Sequence, residues 1–308
     1  MKTPQSRFDE LAQKQLKNNE KLPRALQNKM AEMQNLPVPF PELAPQPVER
    51  SASTAPIPPI EEKKHLPMYS KVKTPAPNVV LRSALFGIVG KGSRKYERNL
   101  IKAALNGYTV KFTGEQLDQS DLDVWLECIR LSQQVALGDT VRFSSNSFLK
   151  SIERNTGKSD HEWLKTVFLR LRANAVEISD GHYSYIGGLV NEIYRDERTG
   201  ENCLVLNPKI AACFGDAGWT GIDNAIRLEL KGKPLTQWLH GFYSTHHTPL
   251  PIKVMTVKEL CGSEIKELKK FRQILRKSLI GLSEVTGWKC EIDETDLVTV
   301  KKGNAKKT

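Results

Sequence analysis

One stretch of the chain, Thr256 to Val300, admits very few backbone paths. Val257-Lys258-Glu259-Leu260 reads as a short helix and Cys261-Gly262 as a tight break. Ser263 stands where a longer helix opens, running to about Val285, and Gly287 where it stops. Beyond it, Trp288 to Ile292 and Leu297 to Val300 read as two strands around the acidic turn Asp293-Glu294. Within the long helix Ile265, Leu268, Phe271, Leu275, Leu279 and Leu282 recur at steps of three and four, so they share one buried stripe. Lys266, Lys269, Lys270, Gln273 and Lys277 fall opposite, flanked by Arg272 and Arg276. Helix, turn, helix, hairpin is the order of a winged helix, and a helix with a packed stripe and an opposite face of cations and an amide suits the DNA major groove. Ordinary surface lysines explain the same charge run, so the helix alone leaves both readings open.

Composition divides the chain near residue 78. Of the 17 prolines, 13 lie between Pro4 and Pro77, whereas Phe8, Phe40 and Tyr69 are the only aromatics there. Proline removes backbone donors and the lack of aromatics removes core, so this arm is not expected to fold alone. Two weak helices are expected within it, Arg7 to Lys17 and Pro23 to Gln34, the second with Leu22, Leu26, Met30 and Met33 on one side. From Pro37 to Pro77 an extended linker is expected.

The body repeats one order of elements. Strands are expected at Asn78–Val89 and Tyr108–Phe112, then a helix from Ser120, as N-cap, to Val135. A strand at Thr140–Phe143 leads to helices at Ser145–Asn155 and Ser159–Ala175. The last buries Trp163, Leu164, Val167, Phe168 and Leu171 and sets Lys158, Lys165 and Arg172 at seven-residue steps opposite. Wing strands follow at Val176–Ser179, His182–Ile186, Leu189–Tyr194 and Cys203–Leu206, with turns at Asp180-Gly181 and Thr199-Gly200. A short helix at Pro208, an irregular or strand segment Ile222–Leu230 and a helix Thr236–Ser244 complete the series. The expected fold is α+β: two tandem winged-helix domains preceded by a largely disordered proline-rich arm. The arm takes residues 1–77, the first domain 78–206, the second 207–302, and a basic tail 303–308.

Five short motifs, in order, carry a family resemblance: Arg82-Ser83-Ala84-Leu85-Phe86, Thr113-Gly114 with Leu117 and Val124-Trp125, Arg170-Leu171 with Ala173 and Ala175, Leu260-Cys261-Gly262-Ser263, and Lys269-Lys270-Phe271-Arg272. Together they resemble the TrfA-type plasmid replication initiators over about residues 78 to 302. The resemblance implies a protein that binds directly repeated origin sequences (iterons) as a monomer through two winged-helix domains, in equilibrium with a dimer. It implies melting of an adjacent A·T-rich segment, so that single-stranded DNA joins double-stranded DNA as a partner. It further implies recruitment of the host initiator, the replicative helicase and the sliding clamp. The family's clamp-binding segment has its counterpart in Met33 to Phe40, which keeps Gln34, Leu36 and Phe40 but is interrupted by Pro37 and Pro39.

A net charge of +11 favours a polyanionic partner. No apolar run approaches the roughly 18–20 residues of a membrane-spanning helix, and Met1 to Lys17 lacks the apolar core of a signal peptide. Cys128, Cys203, Cys213, Cys261 and Cys290 are scattered without a C-x-x-C pair, which suits reduced thiols in a bacterial cytoplasm and argues against zinc. Gly90-Lys91-Gly92-Ser93 misses the Walker spacing, with only two residues between Gly87 and Gly90 and Gly92 where Ser or Thr belongs. His246-His247 near Tyr243 has the residues of a rolling-circle nickase, but adjacent histidines on a strand face opposite ways. The chain therefore reads as a non-enzyme without metal or cofactor. Expected DNA contacts are Lys266, Lys269, Lys270, Arg272, Gln273, Arg276 and Lys277 on the second long helix, with Arg272 on phosphate. Lys289 and Lys301 on the second wing, and Lys158, Lys165 and Arg172 on the first domain, complete the set. A winged-helix repressor binding operator DNA shares most of these features; a relaxase requires the missing metal set. Trp219, between Gly218 and Thr220, is expected to be exposed.

Overall fold

The computed structural model describes residues 65–303, except 71, 91, 93, 106, 180–183, 197, 200 and 208–217. Contacts separate Met1–Ile60 from a second unit, Glu61–Thr308, and the described residues all lie in that second unit. The two arm helices, the counterpart of the clamp-binding segment, the Asp180-Gly181 turn, the Pro208 helix, Cys213 and most of the basic tail lie outside the described residues.

The first half of the unit opens with β1 (Lys73–Pro77), α1 (Asn78–Leu81), β2 (Phe86–Gly87), β3 (Tyr96–Lys102), β4 (Thr109–Glu115) and β5 (Leu117–Asp118). It continues with α2 (Gln119–Ser132), β6 (Val141–Phe143), α3 (Ser145–Ser151), α4 (Lys158–Ala173), β7 (Ala175–Ser179), β8 (Ser184–Gly187), β9 (Glu192–Arg195) and β10 (Asn202–Val205). A connector of β11 (Trp219–Asp223) and α5 (Asn224–Glu229) follows. The second half is α6 (Pro234–Ser244), β12 (Ile252–Lys253), α7 (Val254–Leu260), α8 (Leu268–Thr286), β13 (Lys289–Ile292) and β14 (Leu297–Lys301).

One plan therefore occurs twice, helix, strand, short helix, longer helix, two strands, with β7 and β8 inserted before the last two strands in the first half. The sheets match as well, since β6-β10-β9 and β12-β14-β13 are both antiparallel with the last strand in the middle. Each half encloses its own core. In the first, Trp125, Phe86, Phe112, Phe148 and Leu149 are fully buried, and in the second Phe242, Tyr243, Phe271, Leu275 and Leu279. Trp125 satisfies its indole by donating to the Leu189 carbonyl at 3.2 Å.

Several expectations change. The wing strands expected after α4 divide between two sheets: β7 and β8 extend β3-β4 into a four-stranded sheet, and β9 and β10 join β6. No strand had been expected at β3. The expected Asn78–Val89 strand is interrupted, because Asn78–Leu81 is helical and buries Val79, Val80 and Leu81. The N-cap of α2 is Asp118, not Ser120: its Oδ1 accepts from the Ser120 and Asp121 amides at 2.8 and 3.1 Å, and Asp121 Oδ2 accepts from the Asp118 amide at 3.0 Å. That reciprocal pair satisfies two otherwise orphaned donors, more than a serine at 120 offers. The expected Ile222–Leu230 segment is β11 running into α5, with Asp223 capping the Ile226 amide at 3.1 Å. Trp219 is half-buried against the first core.

The linker expectation fails at its end. β1, with Pro75 and Pro77, pairs antiparallel with β11, and Leu66 is 2% exposed within the first core. Proline is tolerated there because an edge strand has one row of backbone groups that needs no ladder partner. Since β11 pairs with β1 and Ile222 lies in the first core, β11 adjoins the first half although it had been expected in the second domain, while Ile226 of α5 packs against the second core. Among the described residues no helix is long and apolar enough to cross a membrane.

Candidate nucleic-acid interface

The second half presents its basic helix through a turn of defined chemistry. Helix α7 ends with Gly262 at φ +69°, its amide bonded to the Glu259 carbonyl at 3.0 Å and the Ser263 amide to the Lys258 carbonyl at 3.0 Å. This is a Schellman closure, which needs a residue free to take the left-handed region. The Ser263 amide is taken up in this closure while its Oγ accepts from the Ile265 amide at 3.4 Å, and α8 starts at Leu268 rather than Ser263. Residues 263–267 run as an irregular bridge, in which Glu264 pairs with Lys95 at 2.6 Å and Ile265 rests on the second core. Lys266 is exposed on this bridge, two residues before the helix on which it was expected.

From Leu268 onward the expected faces are present. Phe271, Leu275, Leu279 and Leu282 are buried, while Lys269, Lys270, Gln273, Arg276 and Lys277 are exposed. The helix closes on Gly287 at φ +70°. Arg272 differs from expectation, since its guanidinium makes a two-pronged pair with Asp296 at the β13–β14 turn, Nε donating to Oδ1 at 2.7 Å and Nη2 to Oδ2. The pair raises the Arg272 pKa above its ordinary value. In this structure the fork is occupied and does not offer itself to phosphate. It does tie the hairpin turn to the first turns of α8.

That tie decides where the hairpin lysines lie. Lys289 and Lys301 are direct cross-strand partners at the open end of the hairpin, beside Gly287. Helix α8 has 19 residues, roughly 28 Å at 1.5 Å per residue, so Lys289 and Lys301 sit at its far end from Lys269 and Lys270. The structure does not bring the two groups together.

In the first half, Lys158, Lys165 and Arg172 are exposed along α4, spanning about 21 Å of helix. The buried side of α4 is Leu164, Val167, Phe168 and Leu171. Its start is fastened by Arg154, whose guanidinium lies 3.6 Å over the Trp163 ring and pairs with Asp160 at 3.2 Å. A groove runs between α4 and β9, lined by His161, Lys165, Leu169, Arg172, Tyr194 and Arg195 among others. The sequence reading did not single out Tyr194, Arg195 and Arg198 on the β9–β10 hairpin, all exposed; the signal was the basic Arg195 and Arg198 just before the turn at Thr199-Gly200.

Most motif residues outside α8 serve structure. Arg170 pairs with fully buried Asp121 at 2.8 Å, as does Arg94 at 2.8 Å. Burial, reinforced by Asp118, raises the Asp121 pKa, and the two arginines oppose that shift. Arg82 donates to Thr245 Oγ1 at 2.7 Å and to its carbonyl at 2.6 Å, joining the end of α1 to the end of α6. The Cys261 carbonyl accepts from the Ile88 amide at 2.9 Å, and burial pushes the Cys261 thiol up to about 12. His246 is half-buried with Nδ1 2.9 Å from the Phe242 carbonyl, while His247 is exposed. Among the described residues no group of three or more His, Cys, Asp and Glu side chains is arranged to hold a metal ion.

Comparison with known proteins gives a consistent set of likenesses. The family model described as TrfA protein matches residues 65–302. The plasmid replication initiator protein TrfA of Escherichia coli is 23% identical over 206 residues, covering 64% of this chain and 53% of that protein. The chain thus spans about half the length of that curated relative. Among solved structures, domains 2 and 3 of RctB superpose with a TM-score of 0.51 at 12% identity, over 73% of this chain and 97% of the other. The Pi initiator protein in complex with iteron DNA superposes with a TM-score of 0.52 at 12% identity, over 77% and 100%. These two likenesses show a shared mixed α/β fold.

Proposed function

The chain belongs to the TrfA protein family, and from that premise we propose that it is a plasmid replication initiator whose two halves are winged-helix domains reading one iteron as a monomer. The observation that carries this reading is the repeated plan, in which two matching arrangements each turn one long helix outward with exposed cations: Lys269, Lys270 and Lys277 on α8, and Lys158, Lys165 and Arg172 on α4. In a winged helix the third helix enters the major groove with its N-terminal residues at the base edges. Lys269, Lys270 and Gln273 occupy that place on α8, with Gln273 suited to the N6/N7 edge of adenine. Lys266 approaches from the preceding bridge, and Arg276 and Lys277 flank the backbone. Lys289 and Lys301 meet phosphate further along, and Arg272 contributes by holding the wing. On the first domain Arg195 and Arg198 add a basic wing to α4.

Function follows from binding, with no bond-making step by this chain. Binding to repeated sites concentrates protein beside an A·T-rich segment, whose melting yields single strands for the host initiator, helicase and clamp to act upon. The Pi initiator, a protein of similar fold, is seen in complex with iteron DNA, and its likeness supports the choice of DNA.

Footprinting the full chain on its own origin tests the proposal. The expected result is a set of direct repeats, each protected over roughly 17–22 base pairs, about two helical turns. Substituting Lys158, Lys165 and Arg172 together by alanine is expected to clear one end of each footprint, and substituting Lys269, Lys270 and Gln273 the other. Protection by the α4 variant unchanged in length and strength would leave the first domain without a reading role.

A further inference from the structure

The two halves are held by more than the chain between them. Arg227, on the connector helix α5, keeps only 4% of its side chain exposed. Its Nε donates to Asp123 Oδ1 on α2 at 2.6 Å, and its Nη2 donates to the carbonyl and Oε1 of Gln119 at 3.1 and 3.2 Å. From the second half, Gln237 on α6 donates to Asp123 Oδ2 at 3.2 Å. Lys231, just after α5, donates to the Ile152 carbonyl at 2.7 Å and to that of Glu153. One carboxylate therefore receives bonds from both the connector and the second half. Such charge-assisted bonds are directional, and burial makes each of them sensitive to small changes in angle.

The connection from α5 to α6 is only residues 230–233. It limits how far apart the halves stand, but a bare turn of this length leaves their relative rotation free. The Arg227 fork removes that freedom, because a planar guanidinium held on Asp123 and Gln119 fixes α5 against α2, and Gln237 fixes α6 to the same carboxylate. We propose that the Asp123–Arg227–Gln237 cluster is a positioning brace that sets the rotational phase between α4 and α8, and thereby the spacing of the two half-sites that the protein accepts. This rests on the reading of both helices on one repeat. The Arg82–Thr245 and Ile88–Cys261 bonds act in the same sense, joining first-half segments to the end of α6 and to the α7–α8 turn. None of the brace residues is among the proposed DNA contacts. Their effect on DNA is carried entirely through the helices they orient.

The consequence is a spacing rule. Two sites on a rigid body gain from each other only when both are met in phase, whereas sites on a loose joint share the gain over many spacings. The test uses the full chain and duplexes carrying one footprint-defined repeat, either native or with five or ten base pairs inserted between its halves. Five base pairs turn the second half-site to the opposite face, and ten restore the face at a greater distance. The wild-type protein is expected to lose on the order of 100-fold in affinity on the five-base-pair insertion. The variant Asp123→Asn keeps the shape and removes the ion pair. The double variant Asp123→Leu with Arg227→Met replaces the pair by apolar side chains, a change that buried pairs often tolerate without loss of stability, and it stands in if the single variant fails to fold. In a folded variant, native affinity is expected to fall about tenfold and the insertion penalty to shrink to about threefold. A merely structural role lowers thermal stability and leaves the penalty as it was. Folded variants retaining the wild-type penalty would overturn the brace while leaving the two-domain reading intact; a wild-type protein indifferent to the insertions would overturn both.

Discussion

Replacing Lys269 and Lys270 together by alanine changes the charge at the start of α8 and little else. Both side chains are exposed, and among the described residues neither makes an ion pair. Cations at a helix N-terminus oppose the helix dipole at a cost of about 0.3–1 kcal/mol each, and alanine is the strongest helix former. The double variant is therefore expected to unfold no earlier than the wild type, so a binding defect in it cannot be ascribed to lost structure. In the major groove both ammonium groups also displace counterions from the phosphates that line it, so each accounts for about 0.9 of the slope of log affinity against log salt, and removing both flattens the slope by about 1.8. Between 50 and 200 mM salt that difference amounts to about 4 to the power 1.8, so the wild-type advantage shrinks roughly twelvefold. Fluorescence anisotropy titrations on one labelled repeat at three salt concentrations measure it directly. Parallel salt plots for the two proteins would refute the placement of the start of α8 in the major groove, whatever the affinity at any single salt.

Three further outcomes follow from the same geometry. Gln273→Ala is expected to cost about 1–3 kcal/mol of binding and to relax discrimination at a single base pair, measured by competition with all four bases at each position of the repeat. Leu275→Ala empties a fully buried position of the α8 stripe and is expected to lower unfolding free energy by about 2–5 kcal/mol, read from urea denaturation. His240 is buried, and that burial, together with Arg227 and Lys302, depresses its pKa to about 3. The unfolded chain takes up that proton near pH 6.5 while the folded protein does not, so this contribution is whole above pH 6.5 and is lost as pH falls toward 3. About 1.4 kcal/mol goes with each pH unit in that window; urea midpoints of wild type and His240→Gln are expected to converge on acidification, and a constant gap between them would contradict it.

What was legible in the sequence was whatever local periodicity encodes. The α8 stripe of Phe271, Leu275, Leu279 and Leu282, the Gly262 break and the Gly287 stop stand where the pattern puts them. Boundaries failed where two local signals competed. Ser263 carries an N-cap signature, yet it closes the preceding helix; Ser120 carries one too, yet Asp118 forms the reciprocal cap with Asp121. Non-local pairing was invisible: nothing near Tyr96–Lys102 announces that it edges a sheet shared with β7 and β8. For the site, exposure of the lysines followed from the stripe. The engagement of Arg272 by Asp296, the gathering of Asp123, Arg227 and Gln237, and the separation of Lys289 from Lys270 required folding the chain back on itself.

The pairing of β1 with β11 imposes a wait during synthesis. Lys73 meets Asp223 and Pro77 meets Trp219, so β1 leaves the ribosome about 150 residues ahead of its partner, roughly seven to thirty seconds at 5–20 residues per second. An unpaired strand held open that long is a template for wrong partners, whether in a neighbouring nascent chain or in β3 and β4 as they emerge. Pro75 and Pro77 lower that hazard, because each deletes a backbone donor from a strand only five residues long. The prolines that make this stretch look like a linker thus also keep it single until the connector arrives.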